Sequence, residues 1–311
     1  MTTSDRQGEV VVVHGDDRAS ISTTGATLRQ VRWGGHDVLD GFGPGESAAG
    51  ARGQILAPWT NRLRDGTYDF GGRSHQLPVT DASTRTALHG LVADLPWSVL
   101  DRTDGAVTLG LRLEPRSGYP WELQLTVTYA LDDDGLTVRH GVQNLSGTAA
   151  PYAIGAHPYV VAAQGPVDDW TVRLDAAQVM LVDAERMLPV SVVPVGTADL
   201  DFTTARRIGD VRLNHAFTGL GRGADGRTRV TITAPGATDS VEVWAGEGCR
   251  WIQLYTGDFD PVSPRRSIAV EPMSAPADAF RSGEDLVELA PAGHDGSSHH
   301  LQWGIGVAPR G

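Results

Sequence analysis

The stretch ELQLTVTYAL at 122 to 131, followed by DDDG at 132 to 135 and GLTVRHGVQNL at 135 to 145, decides the fold class. Apolar residues alternate with polar ones at a period of two on both sides of the break, which is the pattern of half-buried strands. Gly and Asp in the break supply the positive φ values and side-chain-capped turns that a chain reversal needs. The same alternation returns in RVTITAP at 229 to 235 and SVEVWAG at 240 to 246, with further breaks at GADG (223 to 226) and GEG (246 to 248). Hairpins are expected at these breaks.

Outward from this segment the chain stays strand-like. Its 38 glycines and 18 prolines are spread along 311 residues without gathering into a linker, and no repeat of 20 to 50 residues is visible. One domain spanning 1 to 311 is therefore expected. Helical patterning is scarce: DAFRSGEDLVEL at 278 to 289 has room for a turn or two, but Ser-Gly interrupts it. The reading is all-β, with many antiparallel strands in a large sandwich or two stacked sheets. At this length roughly three quarters of the unfolded surface is buried on folding, so the core needs no disulfide or metal.

Composition excludes several function classes. A net charge of −12 and an isoelectric point near 5.2 do not suit a protein that tracks nucleic-acid phosphates. All 26 basic residues are Arg, so Schiff-base and P-loop chemistry that relies on a chain lysine is excluded. Cys249 is alone, which rules out an intrachain disulfide and the C-x-x-C patterns. The N-terminal MTTSDRQGEVVVVHGDD lacks the layout of a signal peptide, and no apolar run reaches the length of a membrane span. A cytoplasmic protein with no membrane partner, monomeric or homodimeric, is the expectation.

Five segments carry more polar chemistry than a core requires: APWTNRLRDGTY (57 to 68), ALHGL (87 to 91), AIGAHPYV (153 to 160), WIQLYTGD (251 to 258) and SIAVEPMSAP (267 to 276). Glu271 follows an apolar run and precedes Pro272, a residue that stops strand pairing, so it is expected at a sheet rim. Desolvation there raises a carboxylate pKa toward the range of a general base; a rim Glu paired to an Arg is the structural alternative. His157 likewise ends an apolar run before Pro158, as a proton donor near neutrality or as a hydrogen-bonded structural residue. Arg62, next to Asn61, presents planar donors suited to sugar hydroxyls. His89 is a further directed polar group, and Gln253 faces one side of its strand alone, opposite to Ile252 and Leu254; each of these, like Asn61 and Arg62, has the alternative of a turn or surface polar residue. With Trp59, Tyr159 and Tyr255, and without a phosphate loop, metal set or nucleophile elbow, the inventory suits a neutral polyol. His294, His299 and His300 in the tail read as loop and strand residues, since no recognised metal spacing surrounds them.

In the order Asn61-Arg62, His89-Gly90, Gly118-Tyr119-Pro120, Asn144, His157-Pro158-Tyr159, Gln253-Leu254-Tyr255-Thr256-Gly257 and Glu271, the chain resembles the aldose 1-epimerases, or galactose mutarotases. The resemblance spans nearly the whole chain. It implies a large antiparallel β-sandwich with an open sugar site on one face, and no cofactor. It maps the catalytic acid/base pair onto Glu271 and His157, and substrate contacts onto Asn61, Arg62, His89 and Gln253. One departure stands out: where the family commonly has Asp in Asp-His-x-Phe, this chain has Asn214-His215-Ala216-Phe217, so an acceptor-only group has become an amide. The free aldose preferred is thereby left open. Arg64 and Arg85 keep a hexose 6-phosphate as an alternative substrate, and a noncatalytic carbohydrate-binding protein is the alternative from another class. Asp201 is expected to be structural.

Overall fold

The computed structural model describes residues 8–163, 165–260 and 263–309. A nine-stranded antiparallel sheet runs through Ser98–Arg102, Ala106–Leu113, Leu123–Asp132, Gly135–Asn144, Ser298–Pro309, Asp239–Ala245, Thr228–Thr233, Thr171–Leu174 and Arg206–Arg207. An eight-stranded sheet contains, in order, Pro189–Pro194, Ala176–Val182, Asn214–Leu220, Trp251–Tyr255, Ile268–Met273, Gly155–Ala156 and Ile55–Leu56, with Tyr159–Val160 also pairing to Ile268–Met273. A four-stranded sheet from Glu9–His14 to His36–Asp37 and three two-stranded ribbons complete the all-β architecture.

The deciding hairpin forms as its pattern requires. Asp132 pairs with Gly135 across a two-residue turn. Leu123, Leu125, Val127, Tyr129 and Leu131 are buried on one face while the residues between them are not. The segments at 229 to 235 and 240 to 246 also pair, as Thr228–Thr233 with Asp239–Ala245. GADG and GEG do not make hairpins. Each carries the chain from one large sheet to the other, because a turn signal reports a reversal and not which sheet the next strand joins. The 278 to 289 segment holds a single helical turn, Ala279–Ser282, closed by Gly283 at φ 76°.

Strand parity divides the eight-stranded sheet into two faces. Phe217, Ile252, Leu254 and Val270 point into the core shared with Val230, Ile232, Val243, Leu301 and Trp303 of the nine-stranded sheet. The opposite face carries Asn214, Ala216, Gln253, Tyr255 and Glu271, with an apolar floor of Met180, Ala216, Trp251 and Met273. Polar side chains can gather there without entering the sandwich interior.

Candidate functional site

Glu271 does not sit at a rim. Its strand, Ile268–Met273, continues through Pro272, which pairs with Ile252, and through Met273, which pairs with Trp251. The proline is tolerated because of what lies beside it. Val270 donates its N–H to Pro158 and Ser274 donates to Ile154, so the edge that Pro272 presents faces the gap between Gly155–Ala156 and Tyr159–Val160. His157 and Pro158 occupy that gap. The backbone of His157 is tied to the other side, donating to Gln54 and accepting from Gly53. The interruption in one strand thus accommodates the proline in its neighbour and directs His157 toward Glu271.

His157 Nε2 lies 3.4 Å from Glu271 Oε1, and both residues are buried, at 5% and 2% exposure. Burial pushes the Glu271 carboxyl up to about 8, against the opposing pull of the Arg62 guanidinium. Burial also pushes the His157 imidazole down to about 3, with Arg52 and Arg62 acting in the same direction. The pair therefore holds one proton near neutrality, and its titrations belong to the pair and not to either residue.

Asn61 and His89 flank the ribbon Arg62–Arg64 with Thr86–Leu88, and both have left-handed backbones, at φ 51° and 60°. His89 donates its N–H to the Asn61 carbonyl at 2.9 Å. Gly90, at φ 82°, permits this geometry: a Cβ there would stand 2.0 Å from the Ala57 carbonyl oxygen. His89 packs edge-on against His157 with ring centroids 5.2 Å apart, and burial keeps it neutral by holding its pKa well below the usual histidine value. Arg62 is 3.7 Å from Asp81, whose carboxylate also accepts from Ser83 and Thr84. Asp81 therefore anchors the guanidinium, a role that no sequence motif indicated.

Gln253 is the cross-strand partner of Glu271, and its Nε2 donates to Asn214 Oδ1 at 2.6 Å. With its oxygen engaged, Asn214 has its Nδ2 to offer the cleft. Asn61, Arg62, His89, His157, Asn214 and Glu271 all line one open cleft of about 260 Å³. Gln253 lines a smaller adjoining hollow, together with Asn61, Arg62, Asn214 and the apolar Met180, Val182 and Met187. All seven residues singled out in the sequence converge here. Arg62 Nε, His89 Nδ1, His157 Nδ1 and Glu271 Oε2 are buried without a hydrogen-bond partner, an arrangement that costs free energy unless a polar ligand engages such groups.

Other expectations fall elsewhere. Tyr159 and Tyr255 line the cleft, but Trp59 is buried beside Phe280 and donates its indole N–H to Ala87. Arg64 is held by Asp278 and Arg85 by Glu185, and neither lines the cleft. Asn144 bonds the carbonyls of Thr148 and Ala290, Tyr119 bonds that of Pro151, and Asp201 accepts from Thr203, so all three are structural. His299 and His300 are successive residues of one strand and leave opposite faces of it. Phe259, 79% exposed at the cleft mouth, escaped the sequence reading because an isolated aromatic in a loop carries no periodic signal.

This sandwich, with a polar cleft on the outer face of one sheet, is the fold of the galactose mutarotase-like proteins. A galactose mutarotase-like protein from Clostridium acetobutylicum superposes with a TM-score of 0.83 at 16% identity, covering 97% of this chain and 95% of that one. The aldose 1-epimerase family profile matches residues 9–295, and the chain belongs to that family of isomerases. It is 36% identical over 297 residues to an uncharacterised Escherichia coli (strain K12) protein, YihR, covering 95% of this chain and 92% of the relative. The galactose mutarotase of Sus scrofa is 26% identical over 221 residues, or 67% of this chain and 62% of the relative. No helix among the described residues is long and apolar enough to cross a membrane.

Proposed function

We propose that this chain is a mutarotase for a free aldohexose, with Glu271 and His157 as its acid/base pair. The observation that carries the reading is the 3.4 Å approach of His157 Nε2 to Glu271 Oε1 beneath an open polar cleft. The two oxygens of a sugar's anomeric centre are borne by one carbon, so a proton acceptor and a proton donor lying side by side match them. Glu271 takes the proton of the anomeric hydroxyl while His157 protonates the ring oxygen. The bond from C1 to the ring oxygen then breaks and the free aldehyde forms. Rotation about C1 to C2 and closure with the proton roles reversed gives the other anomer. Concerted transfer avoids a full charge on either oxygen, and each assisted transfer contributes about 100-fold to 10,000-fold.

The charged form that starts this sequence, carboxylate and imidazolium, contains the same single proton as the neutral pair. Arg62 favours the carboxylate form of Glu271 and opposes the imidazolium form of His157, so the cleft's positive charge helps the base more than the acid. Arg62, His89, Asn61, Asn214 and Gln253 supply donors and acceptors for sugar hydroxyls, and Phe259 offers an apolar ring for a pyranose face. Arg62 is the one arginine lining the cleft among the described residues, which leaves a 6-phosphate without converging guanidinium groups. Polarimetry on freshly dissolved α-anomers, free and 6-phosphorylated, tests the reading. Catalysed approach to equilibrium with the free sugar is expected; turnover only of the phosphorylated sugar, or binding without any acceleration, would overturn it.

A further inference from the structure

Beside the cleft wall formed by Gly50 and Ala51 lies a buried ionic cluster that the proposed chemistry does not use, with Asp260 at the cleft edge. Arg52, 5% exposed, donates through Nη2 to Asp260 Oδ2 at 2.5 Å and to Asp40 Oδ2 at 3.2 Å, and through Nη1 to the Ala49 carbonyl at 2.7 Å. Asp40 also accepts from the Ser267 hydroxyl, and the Ser263 N–H donates to Asp260. The guanidinium carbon of Arg52 stands 4.7 Å from the centre of the Tyr159 ring. That ring is stacked on the His157 imidazole, with centroids 5.0 Å apart and planes 13° from parallel. The Tyr159 carbonyl accepts from the N–H of Asp40, so the cluster holds both the backbone and the ring of Tyr159.

We infer that Arg52 and Asp260, acting through Tyr159, are positioning residues for His157. The inference rests on the proposed mutarotase reading. An imidazole that must meet one particular ring oxygen needs a fixed plane, and no other residue hydrogen-bonds His157 Nδ1 to set it. The stacked Tyr159 ring sets the plane instead. Arg52 anchors that ring by its charge over the aromatic face, and Asp260 with Asp40 fixes the guanidinium. Such a cluster is costly to bury, and orienting His157 gives it a functional role that stability alone does not. The charged and titratable groups facing His157 are Glu271, His89, Arg62, Arg52 and Tyr159.

The test pairs a double variant, Arg52→Gln with Asp260→Asn, with Tyr159→Leu and Tyr159→Phe. The double variant removes both charges together and leaves Asp40 with Ser267 and Arg266. Its kcat is expected to fall by up to about 100-fold as the imidazole loses its fixed plane, whereas loss of a sugar contact at Asp260, which lines the cleft, would raise KM and leave kcat in place. Both Tyr159 variants lose the hydroxyl at the cleft, but Tyr159→Phe keeps the ring, so Tyr159→Leu is expected to lose markedly more kcat than Tyr159→Phe. Imidazole NMR of His157 reads the orientation directly, with a shifted and broadened resonance expected in the double variant and in Tyr159→Leu. Wild-type kcat and an unchanged His157 resonance in a folded double variant would overturn the inference. If the double variant does not fold, equal kcat and equal resonances in the two Tyr159 variants would overturn it. If the wild-type protein has no mutarotase activity, the functional reading fails, and the NMR arm alone decides the positioning.

Discussion

Glu271 Oε1 and His157 Nε2 face each other at 3.4 Å because a gap in one strand stands beside a proline in the next. Both side chains are buried, so their protonation is set by desolvation more than by their mutual charge. The resulting pair holds one proton over a wide range of pH, which is the condition for a base and an acid to act together and then exchange roles.

Glu271→Gln keeps the shape of the side chain and removes the proposed base. Turnover is expected to fall by at least about 100-fold, the lower end for an assisted proton transfer. Sugar binding, followed by calorimetry, is expected to persist because Arg62, His89 and Asn214 are untouched. Turnover within a few-fold of wild type would show that Glu271 is not the base.

The pair's proton sets a pH window. The kcat/KM of the free enzyme is expected to hold through neutrality and decline as pH rises through about 8, where the pair loses its proton. Glu271→Gln also reveals the stability linkage. A carboxyl whose folded pKa is raised from 4.5 to about 8 contributes stability that is fully present below 4.5 and lost as pH rises through 8. The variant, which has no charge to bury, is therefore expected to gain on the wild type between these values, by up to about 5 kcal/mol. Urea denaturation at pH 5 and pH 9 measures this, and an equal difference between the proteins at both pH values would contradict it.

Asn214→Asp puts a carboxylate in place of the amide while Gln253 can still donate to one of its oxygens. The group offered to the cleft changes from a donor to an acceptor. Selectivity between two hexoses that differ at the hydroxyl meeting this position is expected to shift by roughly tenfold, the equivalent of one hydrogen bond. Mutarotation rates across a set of epimeric hexoses check this, and an unchanged ranking would place Asn214 outside sugar recognition.

Phe259 is so exposed that its loss hardly affects the core. Phe259→Ala is expected to leave the melting temperature within about 1 °C or 2 °C, since surface changes of this kind stay within about 0.5 kcal/mol. KM is expected to rise while kcat is kept. A KM equal to that of the wild type would remove Phe259 from the binding surface.

Gly90→Ala is expected to disturb both stability and site. The new Cβ would collide with the Ala57 carbonyl at a residue with φ 82°, so a loss of at least about 2 kcal/mol is expected, within the range for backbone strain. His89 is adjacent, and binding should weaken as well. Thermal unfolding with sugar titration tests both effects.

Alternation in the sequence was sufficient for the all-β class and for the hairpin at 123 to 144, because side-chain direction in a strand follows local parity and burial follows from that. Residue types and their order singled out the six residues that line the cleft and Gln253 in the hollow beside it. Pro272 misled because its local meaning, the end of pairing, depends on what lies across the strand; here a gap does, and the strand continues past Glu271. GADG and GEG misled for a similar reason, since joining one sheet or the other is a long-range choice. The Asp81 anchor on Arg62, the Gln253 bond to Asn214 and the Arg52 cluster behind Tyr159 join residues far apart in the chain. Local sequence carries the direction of a side chain, but only the packed sheets decide which distant group it meets and how far both are withdrawn from water.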